Sequence, residues 1–334
     1  MRNSNIEFLR IVCIIMIIVM HTYGQYRTVD DNVVYHTSML CNAICNTGVS
    51  IFVLISGYYG LHANLRKWIS LYSITIFYSL FFLLSCVIRP HYVVDITLVA
   101  KGLFPVFCNR YWFVTSYLLL MALADYIQRL LDILSRKELL GLVVILSLFT
   151  IVSPTLFVLE IFNDSGKGFM NMLTVYIIGR YIRRYGFPGL IRKYGNIMIP
   201  MLTIVIWLFN ETVNRYNGIN SLFCRDNNLL IVILAISIFY SFISALPRQS
   251  HNINAIAQYV FPIYLAHDIF LENFALTMKS TNILYLIQIP LLVMSLVLIS
   301  IIFETMRRTV LGGVFSCVEK WETHLTQLLI KKSA

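Results

Sequence analysis

The chain is short of charge. Of its 334 residues only 13% are Asp, Glu, Lys or Arg, while 58% are hydrophobic. A soluble domain carries about 25% charged residues, and half that number leaves too little polar surface to cover a body of this size. A soluble enzyme, a disordered chain and an ordinary nucleic-acid binder are excluded, and the bilayer is the expected surrounding. The 7 cysteines contain no CxxC pair. Cys41 and Cys45 lie one turn apart but supply only two ligands, with no His or acidic cluster beside them, so no metal site is expected. No Gly-rich phosphate loop and no GxSxG elbow occurs, and no permanently bound cofactor is expected. No connection between apolar runs exceeds about 20 residues, which leaves no room for a separate soluble domain.

What the chain has instead is long apolar runs. A membrane span needs about 20 apolar residues, because a helix rises about 1.5 Å per residue through a core about 30 Å thick. Ten such runs occur, near 9–25, 41–61, 68–88, 110–128, 139–159, 168–182, 197–213, 228–246, 255–273 and 283–305. Runs such as 11–20 are continuously apolar, which excludes the alternation of a membrane barrel. The expected fold is therefore all-α, a polytopic membrane helix bundle of about ten transmembrane helices. The stretch Ile96–Cys108 is too short to cross, holds Lys101, Gly102 and Pro105, and reads as re-entrant or interfacial. The first run resembles a signal peptide but lacks a small-residue cleavage site after Met20, so it reads as a retained helix. Residues 1–305 form one transmembrane domain in this reading. Residues 306–334 form a cytoplasmic tail with Val314, Val318, Trp321, Leu325 and Leu328 at helical spacing, an amphipathic inner-leaflet anchor.

Basic residues set the orientation. With the N-terminus in the cytoplasm, seventeen of the 26 Lys and Arg fall inside and eight outside, with Arg10 within a helix. That bias places both termini in the cytoplasm. It also accounts for the net charge of +10 without nucleic acid.

The first run carries the chemistry. Ten apolar residues separate Arg10 from His21. Eleven steps of about 100° bring both side chains to one face, about 16 Å apart along the axis. Glu7, one turn before Arg10, is placed to hold its guanidinium. Each residue alone has an ordinary explanation: Arg10 snorkelling to the inner interface, His21 bonding a carbonyl near the outer one. Together on one face they favour a water-containing site, because ionisable groups within a membrane usually line a cavity.

Four stretches together resemble the acyltransferase-3 membrane family. Arg10-(x)10-His21 looks like its first-helix signature. Gly48-Val-Ser-Ile-Phe-Val-Leu-Ile-Ser-Gly57-Tyr resembles its second-span motif. Tyr111-Trp112-Phe113 with Tyr117 resembles its aromatic fourth helix, and Tyr264-Leu265-Ala266-His267 its late Tyr-Leu-x-His. The resemblance runs from Ile6 to about Glu304. One departure stands out. The family's Arg-Arg-x-x-Arg cluster is here Arg66-Lys67-Trp68-Ile69-Ser70, with Ser70 in place of the third base.

The resemblance implies transfer of an acyl group, usually acetyl, from cytoplasmic acyl-CoA to a hydroxyl of a bacterial surface polysaccharide or its lipid-linked precursor, in the inner membrane. Arg66 and Lys67 then suit the coenzyme A phosphates, or serve only as an inside anchor. His21 takes a hydroxyl proton or itself carries the acyl group; Arg10 orients the thioester, stabilises charge or tunes the histidine. Trp112 and Tyr117 either stack on a sugar or belong to the interfacial aromatic belt. His267, Asp268 and Glu272 sit in the ninth run. His267 and Asp268 are adjacent, about 100° apart, and are not expected to form a self-contained dyad; Pro262 is expected to kink their helix by releasing the Gln258 carbonyl. Ser56-Gly57 reads as close helix packing rather than a nucleophile. A non-enzymatic glycan transporter or flippase is the alternative, but the matching broken helices of inverted repeats are not found.

Overall fold

A computed structural model describes residues 3–24, 32–89, 93–157, 160–217, 222–275 and 287–310. The amphipathic tail expected beyond 310 lies outside the described residues. Among those residues every regular element is helical. In chain order the α-helices are α1 (Ser4–Gly24), α2 (Asn32–Cys45), α3 (Thr47–Tyr59), α4 (Leu65–Ile88), α5 (Ile96–Leu103), α6 (Trp112–Ile133), α7 (Arg136–Ser147), α8 (Ser153–Phe157), α9 (Phe169–Tyr185), α10 (Gly189–Asn217), α11 (Leu229–Ile243), α12 (His251–Ala257) and α13 (Val260–Ala275). A further helix, α14, spans Ile287–Val310.

Each of the ten apolar runs coincides with helix. Six helical stretches are long and apolar enough to cross a membrane: Ser4–Tyr23, Val33–Tyr59, Leu65–Ile88, Arg136–Phe157, Gly189–Val213 and Ile287–Val310. The chain is a polytopic membrane helix bundle. The remaining runs are shorter or more polar, and α9 and α11 among them lie largely inside the bundle. Helix α9 carries Asn171, Thr174 and Arg180, yet most of its first three turns is buried against protein.

Three boundaries differ from the sequence reading. The second run begins at Asn32, not near 41, and is divided at Asn46 into α2 and α3. Asn46 bonds back to Asn42 Oδ1 at 2.6 Å, a side-chain competitor at the break. The run near 255–273 is likewise divided, into α12 and α13, at Gln258–Tyr259. A break replaces the expected kink because Pro262 then falls in the first turn of α13, where its missing N–H costs nothing. The Gln258 carbonyl is met instead by Arg308 Nη2 at 3.3 Å. The segment after α4 is short as expected: α5 lies against α4, with Ser79 Oγ donating to the Lys101 carbonyl at 2.9 Å.

Glycine sets the tightest contact in the bundle. A Cβ on Gly57 would run into the Tyr176 carbonyl, and one on Gly179 would stand 2.7 Å from the Leu54 carbonyl. Helices α3 and α9 therefore meet backbone to backbone, the small-residue packing expected for Ser56-Gly57. Helix α1 is the centre of the rest. It touches α2, α3, α11, α12 and α13, and 56% of its apolar window is buried, against 22% for Arg136–Phe157 and 17% for Gly189–Val213. Its polar residues therefore face protein rather than lipid. At the Arg10 end, fully buried Glu304 accepts from Arg307 and Arg308 at 2.7 Å and from the Tyr78 hydroxyl at 3.0 Å. All its lone pairs are thus engaged, the condition for a buried charge to be tolerated.

Candidate active site

Two cavities lie along the polar face of α1. The first, of about 210 Å³, is lined by Arg10, Ser56, Lys67, Tyr117, Gln258 and Tyr264, with Ile17 in its wall. The second, of about 480 Å³, is lined by His21, Trp112, Tyr264, His267 and Asp268, again with Ile17. Ile17 and Tyr264 are common to both. Arg10 and His21 share one helix face, as their spacing requires, but address different cavities toward opposite ends of the bundle.

In the first cavity Arg10 Nη1 lies 3.4 Å from Glu7 Oε1, the i,i+3 pair expected of Glu7. Lys67 is delivered by the start of α4, where the Asn64 side chain caps the helix by accepting from the Lys67 backbone N–H at 3.0 Å. Arg66 is exposed and is not among the residues lining this cavity. Tyr117, which the sequence grouped with Trp112, lines this cavity rather than the second; its hydroxyl is 3.3 Å from Ser56 Oγ. Five residues on a helix amount to more than one turn, so Trp112 and Tyr117 address different depths.

In the second cavity the two histidines meet across 246 positions of sequence. His267 Nε2 lies 3.2 Å from His21 Nδ1, and the rings are 4.9 Å apart between centroids. Helical carbonyls orient both. His21 Nδ1 is 3.0 Å from the Ile17 carbonyl, and His267 Nδ1 faces that of Tyr264. A carbonyl can only accept, so His21 Nδ1 carries the hydrogen and His21 Nε2 keeps its lone pair; His267 donates from Nδ1 to Tyr264 and needs a hydrogen on Nε2 as well to meet the Asp268 carboxylate.

Asp268 corrects the sequence reading. Its Oδ1 lies 3.1 Å from His267 Nε2, so the adjacent residues do form a pair. The 100° between their Cα–Cβ directions is overcome because both side chains turn into the same cavity. His267 is 1% exposed and Asp268 43%, so the carboxylate reaches the ring from the open side. The side chain of Glu272 lies outside the described residues.

The ligand atoms of His21, His267 and Asp268 all fall within 4.8 Å of one another, a spacing that suits three ligands of a metal. The same geometry suits proton handling: a base nitrogen, a second imidazole behind it, and a carboxylate where positive charge would build.

Sequence reasoning missed the polar rim of this cavity. Arg110, Lys167, Arg225 and Asp226 also line it; the three bases are among the eight that the sequence map counts only as lying outside. Asn109 takes a left-handed backbone at φ 51°, and the Arg110 N–H donates to the Pro105 carbonyl at 2.8 Å, which sets the loop into α6. Across the cavity, Glu160 ties two loops by accepting from the Ser165 N–H at 2.6 Å and from Arg225 Nη1 at 2.8 Å. Only Tyr264 carried a signal in the sequence, being three residues before His267 and so on its face.

The model of a family described as an acyltransferase domain matches residues 3–305, which takes in both cavities. Comparison with curated proteins and with solved structures gave no match. With the family model covering the bundle from α1 into α14, the chain belongs to the acyltransferase-3 family of membrane acyltransferases.

Proposed function

We propose that the protein transfers an acyl group, acetyl first among candidates, from cytoplasmic acyl-CoA at the Arg10 end to a hydroxyl of a surface polysaccharide or its lipid-linked precursor at the His21 end. The observation that carries this reading is the pair of cavities meeting at Ile17 and Tyr264, basic groups lining one and the histidine pair the other. Arg10 and Lys67 supply the positive charge that the anionic donor needs. The excess of basic residues at that end of the sequence map supports its being cytoplasmic, and a bacterial inner membrane is the matching location.

The chemistry follows from His21 Nε2. The acceptor hydroxyl oxygen attacks the thioester carbonyl carbon, and the C–S bond breaks. The hydroxyl proton passes to Nε2 and then to the departing thiolate, leaving an ester and free coenzyme A thiol. As His21 becomes positive, the Asp268 carboxylate behind His267 opposes the added charge. The same nitrogen serves an acyl-histidine route. A flippase has no use for a base nitrogen held in one tautomer by a backbone carbonyl.

Labelled acetyl-CoA given to membranes containing the protein is expected to produce alkali-labile label on the surface glycan. Label confined to water-soluble acetate and coenzyme A pools, with the glycan unchanged, would overturn the proposal.

A further inference from the structure

The charges around the larger cavity do not balance. Three cations line it, Arg110, Lys167 and Arg225, against two carboxylates, Asp226 and Asp268. Arg225 is held by Glu160 at 2.8 Å, and Asp268 by His267 at 3.1 Å. Arg110 and Lys167 form no ion pair among the described residues, so neither is neutralised by a carboxylate in contact with it.

Arg110 is the more informative of the two. Its guanidinium carbon lies 3.5 Å from the centre of the Phe82 ring, and its Nε is buried without a hydrogen-bond partner. A buried donor left unmet is costly, so the position favours a ligand that accepts from it. A contact with the ring satisfies no N–H, so the donor is left for a ligand in the cavity that Arg110 lines. Lys167 is exposed and is carried on the loop that Gly166, at φ 79°, seats against Asn227. Asp226 is a weak counterweight. Burial pushes its carboxyl up to about 7, against the opposing pull of Lys167, so its negative charge is disfavoured. In a cavity with low-dielectric walls, this surplus raises the local concentration of anions.

We propose that the acceptor is anionic: it carries a carboxylate or phosphate on, or directly beside, the sugar that is acylated, and Arg110 and Lys167 hold that group. This rests on the acyl-transfer reading for its placement. Trp112, at the first position of α6 and in the same cavity, supplies a flat face for the sugar ring. The carboxylate of an acidic sugar and the phosphate of a glycosyl phosphate share the required chemistry and differ in where the anion sits relative to the ring.

The full chain in nanodiscs of neutral phosphatidylcholine can be titrated with three probes: a glucuronate-containing disaccharide, the neutral glucose disaccharide, and glucose 1-phosphate. At least one anionic probe is expected to bind about 10-fold more tightly than the neutral one. The preference should fall with added salt and shrink toward unity in Lys167→Gln and in Arg110→Gln, with Arg110→Lys retaining part of it. Which anionic probe binds better separates the two sources. Because Arg110→Gln removes the packing on Phe82 and can fail to fold, Lys167→Gln on its exposed loop decides the matter alone, with acetyl-CoA titration as the check of a folded protein. Equal affinity for charged and neutral probes, or a preference that survives Lys167→Gln, overturns the inference. Anion binding without glycan labelling would sink the acyl-transfer reading and leave the anion site standing. Labelling of neutral glycans without charge preference would do the reverse.

Discussion

His21→Ala is expected to lower acyl transfer at least about 100-fold while the protein remains inserted at normal abundance, since a positioned base contributes about 10²–10⁴ in rate. His21 is on the cavity wall and its packing partners within α1 are unchanged by the truncation, so little stability should be lost. The neighbouring core residue Ile18, fully buried on the same helix, gives the packing control: Ile18→Leu conserves volume and should leave transfer within a few-fold. Ester content of the glycan, measured at matched protein levels, reads both. Near wild-type labelling by His21→Ala would make the histidine structural and remove the mechanism.

The second large effect concerns the other cavity. Arg10→Ala is expected to weaken acyl-CoA binding about 10–100-fold, the loss of a charge-assisted hydrogen bond of about 1.5–3 kcal/mol. It should leave binding of the acceptor-side probes unchanged, because Arg10 and His21 face separate cavities. Arg10→Lys should remain impaired if the guanidinium contacts the donor in two places. Equal affinity of the Arg10→Ala protein for acyl-CoA would assign Arg10 to its ion pair with Glu7 and to membrane anchoring.

Much of this was legible in the chain. A period of 3.6 puts Arg10 and His21 on one face whatever surrounds them, and three residues necessarily place Glu7 beside Arg10. Continuous apolar runs fix where helices lie, because each must hide its backbone from lipid. What sequence does not carry is which helices enclose a face. The contact of His21 with His267 depends on α13 crossing α1, and no local pattern announces it. The break at Gln258–Tyr259 was equally hidden. Pro262 signalled a lost hydrogen bond, but where the helix gives way depends on Arg308, fifty residues on, reaching the freed carbonyl. Arg110 and Lys167 looked like loop charges because their loops fold over the cavity only once α6, α9 and α11 are assembled. Asp268 was misjudged for a smaller reason: backbone angle says where Cβ points, while rotamers decide where a carboxylate ends.

The central claim is that donor and acceptor meet from opposite ends of one bundle. Its most direct test uses sealed proteoliposomes of defined orientation, with labelled acetyl-CoA on the side of Arg10 and Lys67 and a glycan acceptor only on the side of His21 and Trp112. The account predicts label on the acceptor in that arrangement and none when the two compounds exchange sides. Transfer only when donor and acceptor share one side would contradict it.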